Sequence, residues 1–250
     1  AFKWLARISD MLLFHSESSM KAFDKIFKSK SNASKIIMYI GNYKNYYPDP
    51  NPRETVLDNL GLAPDLPVVS LIGTLRQYKG LETAVKAGEH LEGKVQLICA
   101  GEPIDGFNTD NLKRALDKLP HVVFLPRFLT DQEFSDLHAA SDCILLPYRN
   151  ITGSSALLSA LSFRRGVVAS DLPYFREILN FQKDAGTLVK PDDSAALAKG
   201  IAGYLAKDRK QREAASQKLC DRFDWEKVIK PVAPAIRKFT LGNYKEPVID

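Results

Sequence analysis

From residue 68 onward, short β-branched runs alternate with longer stretches of helical periodicity, and this alternation limits the chain more than any other feature. The runs are PVVSLIG (67–73), KVQLICAG (94–101), HVVFLP (121–126), DCILLP (142–147), GVVAS (166–170) and GTLVK (186–190). Between them the pattern predicts helices near 81–91, 109–118, 130–140, 153–165 and 173–180. Such alternation is the mark of βαβ units, whose crossovers join parallel strands. The runs are apolar almost throughout, so both faces of the sheet must be covered. The expected class is α/β, a doubly wound, six-stranded, parallel Rossmann-like sheet. Helices near 193–207, 209–222 and 225–239 should follow, with Pro231 and Pro234 kinking or splitting the last.

The first 41 residues have another character. DMLLFHS and KIIMYIG read as two strands flanking a lysine-rich helix from Glu17 to Lys28, the remnant of a second Rossmann-like domain. The chain opens without Met inside an apparent helix, which suggests a fragment. NYKNYYPDPNPRE, rich in Asn, Pro and Tyr, reads as a linker, placing a boundary at 42–66. Cys99, Cys143 and Cys220 lack metal-ligand spacing and sit mostly in apolar runs, as reduced core residues of a cytoplasmic protein do. No apolar run approaches the length of a membrane span. The formal charge of +5 suits an anionic partner: a phosphorylated small molecule, a nucleic acid or an acidic membrane surface.

Ligands of open parallel sheets sit at the carboxyl ends of strands, where the next helix starts with unpaired N–H groups and a favourable dipole. After DCILLP the chain passes Thr152, Gly153, Ser154 and Ser155 before ALLSAL begins. Gly153 would admit a ligand close to the backbone. The hydroxyls of Thr152, Ser154 and Ser155 can either cap the helix or bind phosphate oxygens. At the far end of that helix, Arg164 and Arg165 complement the dipole and Gly166 can supply a left-handed stop. LIGTLRQYKGLETA places Gly73 at the end of the first strand, followed by Arg76 and Lys79, two cations leaving the same sheet edge. They form either a phosphate clamp or a solvated basic loop.

Together LIGTLRQYKGLETAVKA, LICAGEP, VVFLPRFLTDQEFSDLHAASDCILLPY, ALSFRRGVVASDLPYFREIL, GTLVKPDDSAALAKGI and FDWEKV, in that order, resemble the donor-binding domain of family-4 glycosyltransferases of the GT-B fold. The resemblance covers nearly the whole chain. It implies that 1–41 ends an N-terminal acceptor domain whose catalytic His region is missing. It further implies an interdomain linker at 42–66, a nucleotide-sugar domain at 67–224, and a helix at 225–250 returning to the first domain. The implied reaction is retaining transfer from a nucleotide diphosphate sugar to a glycan or lipid-linked acceptor, as in polysaccharide assembly, without a metal or other cofactor. By resemblance Arg76 and Lys79 neutralise the diphosphate, the backbone of Gly153, Ser154 and Ser155 receives it, and Gly73 and Thr74 lie beside the donor. Gly101 and Arg127 line the nucleoside pocket.

Two family glutamates separated by seven residues align with Ile151 and Ser159, which leaves Ser159 one neutral hydrogen bond for the ribose hydroxyls. The family's Arg after the strand glycine is Thr74, and Arg164 stands where the family prefers Gly. An alternative function follows from these losses: a catalytically inactive, nucleotide-binding or scaffolding subunit.

Four histidines, His15, His90, His121 and His138, are expected to be structural or at the surface. Glu177 matches a common family glutamate but can also pair with a cation, and Asp192 and Asp193 are expected to cap the next helix. The Lys21, Lys25, Lys28, Lys30 and Lys35 series surrounds apolar residues at helical spacing. That pattern suits a packed helix with a solvated face and also peripheral contact with anionic lipid. Nucleic acid is not an expected partner; the linker tyrosines Tyr43, Tyr46 and Tyr47 are the only candidate contact.

Overall fold

The computed structural model describes residues 8–27, 33–104, 106–116, 119 and 121–242. The opening helix, Lys28, Lys30, residues 117 and 118 of an expected helix, and the chain after 242 lie outside the described residues.

The described chain begins with a small parallel unit. Strand β1 (Met11–Phe14), helix α1 (Glu17–Phe27) and strand β2 (Ser34–Ile37) form one strand–helix–strand crossover, with Met11 opposite Ser34 and Phe14 opposite Ile37. The stretch expected to be a linker is more than that. It contains α2 (Arg53–Leu60), whose Val56 and Leu57, with the following Leu62, are buried in the main core. Arg53 ties this helix to the Ala140 carbonyl and, at 2.9 Å, to Asp142. The Gln96 amide then grips the next segment by accepting from Ala63 N at 2.6 Å and donating to Ala63 O at 2.7 Å. Burying such aliphatic side chains is worth about 1.5–3 kcal/mol each, so the segment adds to the stability of the sheet domain.

The main sheet comprises β3 (Val68–Ile72), β4 (Gln96–Ala100), β5 (Val122–Leu125), β6 (Cys143–Leu146), β7 (Val167–Ser170) and β8 (Gly186–Val189). All pairs are parallel, in the order β5-β4-β3-β6-β7-β8. Every residue of β3, β4, β6 and β7 is buried, whereas the edge strands β5 and β8 are partly exposed. Side chains alternate between two cores at the period of two that a strand imposes. Val68 and Ile72 face one core and Val69 and Leu71 the other; Ile98 and Ala100 likewise oppose Leu97 and Cys99.

Helices α3 (Leu81–His90), α4 (Asp110–Leu116) and α8 (Ser194–Leu205) cover one face. The other is covered by α2 with α5 (Asp131–Ala140), α6 (Ser155–Ser162), α7 (Pro173–Asn180) and α9 (Arg209–Arg222). The three cysteines are free and buried. The final helix is split as Pro231 and Pro234 require, into α10 (Trp225–Ile229) and α11 (Ala233–Gly242). The first unit rests on the C-terminal segment. Asn42 donates its amide to the Cys220 carbonyl at 3.0 Å and to Asp224 at 2.6 Å, and the Trp225 ring lies against Gly41, where a Cβ would collide with it.

Strand order reverses between β3 and β6: the chain proceeds outward from β3 through β4 to β5, then returns to add β6 on the other side. The helices that follow β3 and β6 lie on opposite faces of the sheet, and the crevice outside the carboxyl ends of strands at such a reversal is where ligands of open α/β sheets bind.

Candidate active site

The crevice is built from two bare strand ends. Gly73 has φ +109 and Gly101 φ +143, and a Cβ on Gly101 would strike the Gly73 carbonyl, so the backbones meet only because residue 101 is glycine. Leu75 N donates to Glu102 O at 2.8 Å, which carries the pairing past the sheet and turns the chain into one 3-10 turn, Gln77–Lys79. That turn ends at Gly80, φ +70, where a Cβ would run into the Pro147 carbonyl. Close approach at Gly80 thus brings the β3 loop against the β6 loop.

Lys79 is the outcome. It is only 7% exposed, with Nζ donating to Thr74 Oγ1 at 3.3 Å and lying 5.9 Å from the Tyr148 ring centre. Among the described residues no carboxylate forms an ion pair with it. Burial, and secondarily the charge of Arg76, lower its pKa to about 8. A buried cation without a counterion is unfavourable unless an anion joins it. Arg76 is half-buried and lines a cavity of about 540 Å³ with Gln77, Tyr78, Glu82 and Phe107.

Helix α6 follows the β6 loop that packs on the lysine's turn. Tyr148, whose ring lies near the lysine, is 2% exposed in the loop between β6 and α6. Ser154 is the N-cap, its hydroxyl accepting from Leu157 N at 3.2 Å. The capping alternative therefore holds for Ser154. Ser155 and Thr152 are exposed, and among the described residues the N–H groups of Ser155 and Ala156 have no acceptor. Gly153 is not left-handed, and a Cβ there would sit 3.6 Å from Ile40 and 3.9 Å from His15, ordinary contact distances. Its glycine keeps the gap between the first unit and α6 free of a side chain. Ser16 closes that gap lower down, donating Oγ to Thr152 O at 3.3 Å.

Gly73, Thr74, Arg76, Lys79 and Gly101 lie in the loops leaving β3 and β4, and Thr152 to Ser155 lie in the loop leaving β6 and at the start of α6. Arg127 has a separate engagement. Its exposed guanidinium holds Glu133 at 3.0 and 2.5 Å, while Thr130 and Glu133 complete a capping box at the start of α5. Ser159, in the second turn of α6, is 4% exposed, and Ile151 packs half-buried against the core.

Several expectations are corrected by long-range contacts. The helix stop after α6 is left-handed at Arg164, φ +57, not at Gly166. Arg164 N bonds Leu161 O and Arg165 N bonds Ala160 O, both at 2.9 Å, the pattern of a Schellman stop with arginine in the glycine position. Gly166 is required instead because a Cβ would hit the Tyr204 hydroxyl and lie 2.5 Å from Ala185 O. Among the described residues Glu177 pairs with no cation. Its carboxylate accepts from Glu17 N and Ser18 N, each at 2.8 Å, and from Tyr39 OH at 2.9 Å, so α7 caps α1 from another unit. Burial works to raise the Glu177 pKa, but these donors outweigh it and the value is lowered.

Asp193 caps α8 through Ala196 N at 2.9 Å. Asp192 does not cap; it accepts from Arg149 Nε at 2.9 Å. Arg149 is a positioning residue the sequence did not reveal: its NH1 donates to Gln77 O at 3.3 Å and its N to Tyr78 O at 2.8 Å, bracing the Lys79 turn. His138 is structural, stacked on Phe163 and donating to Phe134 O at 2.8 Å, with its pKa lowered by burial to about 4. His15 donates to Met38 O at 2.9 Å, His90 shares a hydrogen bond with Ser194 at 3.2 Å, and His121 holds φ +57 before β5.

A six-stranded, doubly wound parallel sheet with helices on both faces defines a Rossmann-like domain. The chain belongs to the family described as Glycosyl transferases group 1, which it matches over residues 66–207. It is 25% identical over 208 residues to Alpha-maltose-1-phosphate synthase of Mycolicibacterium smegmatis, a match covering 77% of this chain and 54% of that protein. The chain spans about half the length of the curated relatives it matches. Its fold matches sucrose-phosphate synthase of Thermosynechococcus elongatus with TM-score 0.78 at 20% identity, covering 97% of this chain and 61% of that one. Anabaena HepE in complex with UDP-glucose matches with TM-score 0.77 at 21% identity, covering 94% and 65%. Among the described residues no helix is long and apolar enough to cross a membrane.

Proposed function

We propose that this chain carries the donor half of a metal-independent, retaining hexosyltransferase that moves a sugar from a nucleotide diphosphate sugar to a glycan or lipid-linked acceptor. The observation that carries this reading is Lys79, buried where the loops leaving β3 and β6 meet, with no carboxylate partner among the described residues. Departure of a nucleotide diphosphate concentrates negative charge on the leaving oxygen while the sugar becomes oxocarbenium-like. Fixed positive groups aimed at that oxygen stabilise the transition state more than the ground state. Arg76 and Lys79 supply charge from one wall, and the Ser155 and Ala156 amides supply dipoles from the other. The relative solved with UDP-glucose supports the donor class.

Ile151 and Ser159, standing where the resemblance expects carboxylates, favour a second reading in which the domain binds nucleotide without turnover. The test is calorimetry of UDP, GDP and ADP with the chain, followed by donor turnover in the full-length protein. Saturable binding of one nucleotide with release of its sugar supports the transferase; binding without turnover supports the second reading. No binding of any of the three overturns both.

A further inference from the structure

A cavity of about 520 Å³ lies at the opposite edge of the sheet from the donor crevice, where α6 ends and the 43–50 segment crosses it. Its size is that of a small-molecule site. Tyr43, Tyr47 and Phe163 form an aromatic wall, and Tyr47 is anchored by stacking on Phe134 at 4.5 Å. Asn45, Arg164 and Gln217 supply the polar side.

Two lining residues adopt left-handed backbone: Asn45 at φ +59 and Arg164 at φ +57. For arginine this conformation costs roughly 1 kcal/mol that glycine would avoid. The chain nevertheless places a guanidinium there. Arg164 Nε donates to Gln217 Oε1 at 2.9 Å, which orients the fork, and among the described residues no carboxylate pairs with it. Lys44 and Arg165 also line the cavity, but Asp221 and Glu213 neutralise them. Arg164 is therefore the cation available to a ligand.

We propose that this cavity is a second ligand site, separate from the donor crevice, for a hexose bearing a phosphate or a carboxylate. Aromatic faces suit the C–H surface of a sugar ring. The tyrosine hydroxyls and the Asn45 amide can both donate and accept, as sugar hydroxyls require. The terminal nitrogens of Arg164 match a planar or tetrahedral oxyanion in bidentate fashion. The site does not depend on the transferase reading.

Calorimetry with glucose 6-phosphate, glucuronate, glucose and inorganic phosphate tests it. One of the two charged hexoses should bind saturably, and which one does so identifies the anion. Glucose and phosphate alone should bind at least about tenfold more weakly, since each lacks half of the recognition. Arg164→Gly keeps the left-handed stop without strain, so the fold should be retained while the charged hexose loses at least about tenfold in affinity. Tyr47→Leu should weaken it too, and Lys79→Ala should leave it unchanged. Saturation by neither charged hexose, equal binding by Arg164→Gly, or equal binding of glucose or phosphate alone overturns the proposal. So does a ligand lost in Lys79→Ala but kept in Arg164→Gly, because it would occupy the donor crevice.

Discussion

Lys79 and Arg127 look alike in the sequence: each is a cation a few residues past a strand of the same sheet edge. Folding separates them. Lys79 is drawn under the β6 loop by Gly80 and left with a threonine hydroxyl and an aromatic ring for company. Arg127 stays in solvent, and Glu133 satisfies it from the next helix. A cation that already has its anion organises local structure, whereas a desolvated one without a counterion is poised for a ligand.

The sharpest way to break this contrast is substitution. Lys79→Ala should lower nucleotide diphosphate affinity by about a hundredfold, or about 2.7 kcal/mol, within the range for removing one partner of a buried charge pair. Arg127→Ala should change it by less than about threefold, as rim charges usually do. Calorimetry on both variants decides, and equal losses would erase the distinction.

A second, smaller effect is set by pH. Free Lys79 loses its proton near pH 8 because burial lowers its pKa. A bound diphosphate would raise that pKa again, so binding takes up a proton above pH 8. Affinity should be flat just below pH 8 and then fall by up to about tenfold per unit above it, since the phosphate's own ionisation near 6 is complete there. Arg127→Ala should keep this profile and Lys79→Ala should lose it; a flat profile in the unsubstituted chain would remove Lys79 from the site.

The smallest expected effect belongs to the paired cation. Arg127, the Thr130 backbone and the Thr130 hydroxyl hold the Glu133 pKa down to about 2. A depressed carboxyl stabilises the fold above its unfolded value, about 4.3, and loses that contribution as pH falls toward 2. Glu133→Gln should therefore be slightly less stable than the unsubstituted chain in urea at pH 7, with the gap closing in acid. A gap that persists at pH 2 would mean that packing, not charge, anchors α5.

Much of this architecture was legible because it depends on local periodicity. Helix α7 spans 173–180 as expected, with Pro173 pre-set for a first turn, and α9 spans 209–222. Helix α2 was hidden behind Pro50 and Pro52, and its two buried residues, Val56 and Leu57, acquire meaning only against the sheet core. The TDQE capping box at 130–133 is a local pattern and holds Arg127 through Glu133, whereas the expectation that Arg127 lines a nucleoside pocket came from the family resemblance alone. Glu177 could not be assigned from sequence, since the amides it accepts from lie 160 and 159 residues away.

By itself the order of apolar runs, helical stretches and glycines determined a parallel two-faced sheet and the loops that could hold an anion, because those follow from hydrogen-bond geometry and burial along the chain. Only the tertiary structure decided which cation lost its water and which kept a partner. Desolvation and ion pairing depend on what packs around a side chain, and for Lys79 that neighbourhood arrives from the β6 loop, dozens of residues downstream.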